Sequence, residues 1–179
     1  MKLLFALLVT IAAKAQHKEL PAYGIYKSGD NYATHILSNS FSEKNSHHKL
    51  RNTSTHRVYV KNNNASVSYK YADIWGIRTK GTDWRIFNNK LYKVVYAGKA
   101  YVYIRPTRND FTQPGITKFQ TTWFSVTANG PLYELTRNNL LSAYSSNAAL
   151  VSKVSSMKEN KIVNRKDKTT GEYEFISWL

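Results

Sequence analysis

The sequence predicts an α+β domain that is predominantly β: an antiparallel meander sheet, arranged as a sandwich or open and barrel-like, with two short C-terminal helices. Three observations carry this. From about Ile25 to Val126, short runs of alternating polarity recur between turn residues, the pattern of half-buried antiparallel strands. The connections between four successive runs are only a few residues long, which favours pairing of sequence neighbours. After Leu135 the apolar spacing changes from two to helical values.

Taken along the chain, Tyr23 to Tyr26 predicts a first strand, and Ser28 caps a helical turn over Asp30 to Thr34. The polar run from Ser42 to Thr55 has no periodicity. Val58 and Val60 alternate with polar residues, Asn62 to Asn64 supplies a turn, and Val67, Tyr69 and Tyr71 give the next run an aromatic face. The meander then runs Ile74 to Arg78, Trp84 to Phe87, Leu91 to Tyr96 and Ala100 to Arg105. Pro106 to Gly115 carries two prolines and reads as a loop of about ten residues. Alternation resumes from Lys118 to Ala128, with Trp123 on one face and Phe124 on the other. Asn129-Gly130 is a strong hairpin signal, since both residues tolerate positive φ, with Pro131 to Leu135 as the return strand. Helical spacing then occupies about residues 136–158: Thr136 caps a helix bearing Leu140, Leu141 and Tyr144, and Ser146 or Asn147 caps a second bearing Leu150, Val151 and Val154. Lys158 to Lys168 is polar and cationic, and Tyr173, Phe175 and Trp178 predict an anchoring strand or short helix.

Length and composition bound the rest. With 179 residues and 42% hydrophobics the chain is long enough for one cored domain and too apolar to stay disordered. No cysteine occurs, which removes disulfides, thiol nucleophiles, iron–sulfur clusters and thiolate zinc sites. At the N-terminus Lys2 precedes the apolar run Leu3 to Ala13, and Ala13-Lys14-Ala15 has the small-x-small form of a cleavage site. The run is shorter than the roughly 20 residues a membrane span needs. Residues 1–15 are therefore expected to be a secretory signal peptide, with export after cleavage following Ala15 and a single domain over residues 16–179. That places the mature protein in the periplasm or outside the cell.

These residues carry a resemblance. A leader, then Gly24-Ile25-Tyr26, Trp75-Gly76-Ile77-Arg78, Trp84-Arg85-Ile86-Phe87, Tyr92, Gly130-Pro131-Leu132, Leu135-Thr136 and Asn139-Leu140, resembles a family of exported bacterial proteins of unknown function. The resemblance implies a compartment and a β-rich fold, and supplies no activity.

The residue types that carry chemistry are sparse. His17, His35, His47, His48 and His56 all lie in the first third of the chain, without the three or four converging ligands a metal site needs, so no metal and no cofactor is expected. The acids include Asp73, Asp83 and Glu134 near strand ends, and no spacing selects the carboxylate pair that glycoside hydrolysis uses. There is no nucleophile-elbow, phosphate-loop or metalloprotease motif. Trp75, Trp84 and Trp123 are expected in the core; two of them on one exposed face would favour carbohydrate binding.

Charge is the stronger signal. Lys and Arg number 26 against 11 Asp and Glu, a net charge of +15, and a surplus of this size attracts polyanions. If Arg78, Arg85 and Arg105 line one face, they are the expected anion contacts, with Tyr101 and Tyr103 as interleaved rings. The expected function is a non-enzymatic binding or interaction module of the bacterial envelope or extracellular space. Its expected partners are an anionic glycan, lipopolysaccharide or an envelope protein; export argues against a specific nucleic-acid target. The alternative is a hydrolase acting on cell-wall or extracellular polymer. Converging carboxylates or histidines in a pocket would mark the enzyme, and a basic aromatic surface would mark the binder.

Overall fold

A computed structural model describes residues 20–41, 55–62, 65–105, 121–158 and 165–179. Residues 1–15, expected to be a leader, together with His17, His47, His48 and the proline-bearing segment 106–115, lie outside the described residues. The strands are β1 (Tyr23–Tyr26), β2 (Asn39–Phe41), β3 (Arg57–Asn62), β4 (Ala65–Lys70), β5 (Gly76–Thr79), β6 (Thr82–Phe87), β7 (Lys90–Ala97), β8 (Tyr101–Arg105), β9 (Thr121–Ser125) and β10 (Tyr133–Glu134). Among the described residues the α-helices are α1 (Gly29–Ala33), α2 (Arg137–Ala143) and α3 (Ala148–Ser155). The fold is α+β and mostly antiparallel strand, as expected.

Eight strands form one antiparallel sheet in the order β10-β9-β8-β7-β6-β5-β1-β2. The meander is real from β5 to β9, each strand pairing with its successor. Two-residue turns build its first two corners: Lys80 and Gly81 join β5 to β6, and Asn88 and Asn89 join β6 to β7, all four at positive φ. Positive φ at both central residues matches the right-handed twist of the flanking strands. A bulge between Val94 and Tyr96 shifts the β7–β8 register. β3 and β4 pair only with each other, as a separate hairpin.

Paired residues share a face and neighbours along a strand alternate, so the registers sort the sheet into two faces. One face carries Ile25, Ile77, Ile86, Val102 and Phe124. It is closed twice. At the β1–β5–β6 end, Val58 and Val60 of the hairpin pack on Ile25, Ile77 and Ile86. At the β8–β9 end, Leu140 of α2, Tyr144 at its C-cap, Leu150 and Val154 of α3, and Tyr173, Phe175 and Ile176 pack on Val102 and Phe124. Thr136 and Asn147 cap the two helices through side-chain oxygens that accept from the amides of Asn139 and Leu150. The C-terminal aromatic run is a short 3-10 turn, Glu174–Trp178, rather than a strand.

Two local expectations are corrected. Tyr71 does not continue β4 but opens a 3-10 turn, Tyr71–Asp73, with its ring in the core under the hairpin. Asn129-Gly130 does not form a tight hairpin: neither residue adopts positive φ, and residues 126–132 connect β9 to a β10 of only two residues. The reason is a competing use of Asn129. Its Oδ1 accepts from the Gly29 amide at 2.8 Å and its Nδ2 donates to Asp30 Oδ1 at 2.8 Å, which ties this connection to α1.

Candidate functional site

The second face of the sheet carries the candidate site. Tyr26 is opposite Gly76, Gly76 opposite Arg85, Arg85 opposite Tyr92, Arg78 opposite Asp83, Tyr103 opposite Trp123, and Tyr101 opposite Ser125. Arg105, two residues beyond Tyr103 on β8, shares the face. All five residues named from the sequence, Arg78, Arg85, Tyr101, Tyr103 and Arg105, therefore stand on one side of one sheet. Four of them converge. Arg105 stands apart, exposed at the end of β8.

Arg85 is the centre, and it is buried, with 3% of its surface exposed. Its Nη1 donates to Tyr103 Oη at 3.0 Å and to Ser125 Oγ at 3.2 Å, and its Nη2 donates to the Gly130 carbonyl at 2.5 Å. Its Cζ is 5.6 Å from the Trp75 ring centre and 5.4 Å from that of Phe87. These aromatic faces supply the partial negative charge a desolvated guanidinium seeks. The Tyr103 ring centre is equally near at 5.4 Å, but that contact runs through the hydroxyl. Two things are missing. Nε is buried without an acceptor, and the ion pairs among the described residues are Arg78–Asp83 and Arg165–Glu174, neither of which includes Arg85. Buried charges are ordinarily matched by an opposite charge, because desolvating an ion costs several kcal/mol.

Around this cation the hydroxyls gather. Tyr26 Oη donates to Asp83 Oδ1 at 3.0 Å, while Arg78 Nη1 pairs with Asp83 Oδ2 at 2.7 Å, so the cluster's one carboxylate is already engaged by two donors. Arg78 Nε also holds the Pro21 carbonyl at 3.1 Å. From α1, Tyr32 stacks on Trp75 with ring centres 4.5 Å apart and meets Tyr26 edge-on and Tyr101 at 6.1 Å. Trp75 Nε1 donates to the Ala128 carbonyl at 2.7 Å, and this fixes the indole against the β9–β10 connection. Gly76 is necessary here, since a Cβ at that position would collide with the Trp84 carbonyl oxygen.

Electrostatics keep the phenols protonated. Burial, then the Asp83 charge, pushes Tyr26 and Tyr32 far above the ordinary tyrosine value. Burial also raises Tyr103, against the opposing Arg85 charge. For Arg78, burial pulls the guanidinium down, but the hydrogen bond and charge of Asp83 outweigh it and leave it raised. The cluster thus holds two permanent cations, neutral hydroxyls able to donate, and a single carboxylate.

Tyr26, Tyr32, Trp75, Asp83 and Ser125 complete the site; the sequence singles out Trp75 only as a core or carbohydrate-stacking residue and Asp83 only as an acid near a strand end, and alternation from Trp84 puts only Phe87 on the side of Arg85. The tryptophans do not make a paired exposed surface: Trp75 is buried, and Trp84 and Trp123 lie on opposite faces, which withdraws the two-tryptophan argument for carbohydrate. Among the described residues no three His, Cys, Asp or Glu are grouped to hold a metal ion, and His35 and His56 are exposed. No helix among the described residues is long and apolar enough to cross a membrane. Scans of protein-family models, of curated proteins and of solved structures each found no match to this chain.

Proposed function

We propose that this chain is an exported, non-enzymatic binding module of the bacterial envelope or its surroundings, and that it engages anionic ligands through the arginine–tyrosine face of its sheet. The observation that carries the reading is Arg85: a buried guanidinium with no carboxylate beside it among the described residues. In a low-dielectric, aromatic setting its field is poorly screened, and the overall charge of +15 adds to it. The hairpin and the helices close the opposite face, whereas the arginine face is covered only in part, by α1 and the β9–β10 connection, and leaves Arg78, Phe87, Tyr101 and Trp123 half-buried and Arg105 exposed. An anionic glycan, lipopolysaccharide or an acidic envelope protein fits this chemistry. Hydrolysis fits it less well, because Asp83 is the cluster's one carboxylate and is held by Arg78 and Tyr26.

The test is binding of residues 16–179 to immobilised acidic glycans, lipopolysaccharide and acidic proteins, at low and at near-physiological salt. Retention of at least one class at the higher salt supports the reading. Loss of all binding with salt reduces the charge to nonspecific attraction and overturns it.

A further inference from the structure

Resting on that reading, we infer that the Arg85 cluster is itself a site for one small oxyanion group, a carboxylate, sulfate or phosphate monoester, rather than only a source of surface potential. A guanidinium has five donors in a planar fork, and here three of its contacts are to neutral oxygens, two of which are hydroxyls. The Nε edge has a proton and no acceptor. Oxyanions match this fork geometrically, and Lys does not replace it. The Ser125 hydroxyl donates to the Thr127 carbonyl at 2.7 Å, but the Tyr103 hydroxyl, 3.0 Å from Ser125 Oγ and also at Arg85, can turn its proton toward an incoming anion. Asp83 is the group that opposes it, and its charge is offset by Arg78 at 2.7 Å.

Access is local. Of the groups touching the guanidinium, Trp75, Tyr103 and Ser125 are buried, whereas Phe87 and Gly130 are half-buried, so an anion is expected to approach on their side. A neutral sugar or a chloride ion lacks the charge or the two-oxygen geometry that the fork selects.

The experiment is a titration of the purified chain with sodium phosphate, sodium sulfate and sodium glucuronate, against sodium chloride at matched ionic strength. It is read by thermal unfolding and by the Arg85 Nε–H resonance in a nitrogen-15 correlation spectrum. The expected result is a saturable rise in Tm of about 3 °C or more with an oxyanion and not with chloride. The same titration should move the Arg85 Nε–H signal and leave the Arg137 one in place. Arg85→Lys should abolish the rise. If Arg85→Lys does not fold, the wild-type resonance shift decides alone. An unmoved Nε–H signal with no specific rise in Tm overturns the site. Polyanion binding retained at near-physiological salt in that case would leave the broader function standing, so the two failures are distinguishable.

Discussion

Arg85 and Gly130 are joined across the fold: the guanidinium of a central strand donates to the carbonyl of a residue in the β9–β10 connection, 45 positions later. Together with Ser125 and Tyr103, this contact makes one side chain the tie between β6, β8, β9 and the turn beyond β9. The same turn holds α1 through Asn129 and the Trp75 indole through Ala128, so the position of both depends on it.

Replacing Arg85 with Met keeps a long side chain against Trp75 and Phe87 but leaves the Tyr103 and Ser125 oxygens and the Gly130 carbonyl without their donor. Removing a buried charge offsets part of that loss. The expected net cost is about 1–3 kcal/mol, measured as a lower urea midpoint with an unchanged slope. A variant as stable as the parent would mean that the fork is not holding the turn.

Asp83→Asn gives opposite signs in two measurements. Losing the half-buried ion pair with Arg78, while the carboxamide oxygen can still accept from Tyr26, lowers stability by about 1 kcal/mol. It also frees Arg78 on the binding face, so the affinity for an acidic glycan should rise several-fold in the same protein. Reduced affinity in a folded variant would argue against Arg78 lying in the path of the ligand.

Two glycines separate close approach from backbone conformation. Gly76→Ala forces a Cβ into the Trp84 carbonyl within the sheet and should cost about 3 kcal/mol or more, or prevent folding. Gly81 is at φ +74° with open space around it, so Gly81→Ala should cost only about 1 kcal/mol. Chemical denaturation of the two variants side by side is sufficient.

Stability should fall on the alkaline side. Tyr26, Tyr32, Tyr71, Tyr92, Tyr103 and Tyr173 are all raised, chiefly by burial, and Tyr144 is pushed up to about 12 by burial alone. A phenol raised in the fold stabilises it fully below the unfolded value of about 10 and progressively less as pH rises through the folded value. Urea midpoints should therefore drop above about pH 10. Tyrosine absorbance should show a late group ionising together with unfolding. On the acid side, hydrogen bonds from the amides of Thr170 and Thr169 lower the exposed Asp167, so its small contribution is lost as pH falls through the carboxylate range.

Much of the scaffold was legible because strands and helices declare themselves by period. The alternation at Trp84-Arg85-Ile86-Phe87 put Arg85 and Phe87 on one side, and Thr136, with Ser146 or Asn147, announced the two helix starts, the second of which falls at Asn147. The placement of Arg78, Arg85, Tyr101, Tyr103 and Arg105 on one face depended on register, which alternation within a strand cannot supply. The burial of Arg85 and Tyr103 was hidden for the same reason. Against Arg85 lie Trp75, which α1 backs through Tyr32, and the β9–β10 connection through Gly130, all outside β6, and Asn129 is recruited to α1 instead of forming the tight turn its local chemistry favours. Local propensity yielded to a tertiary contact there.

On the proposed function, anions are drawn to one face of the sheet rather than to net charge as such. Arg105→Glu and Lys153→Glu change the net charge equally, but Arg105 lies on the arginine face whereas Lys153 lies on α3, which packs on the other. Affinity for a sulfated or carboxylated glycan at near-physiological salt would be compared in the two variants. A loss of about tenfold or more in Arg105→Glu, with Lys153→Glu close to the parent, is the result this account predicts. Equal losses in both would contradict it.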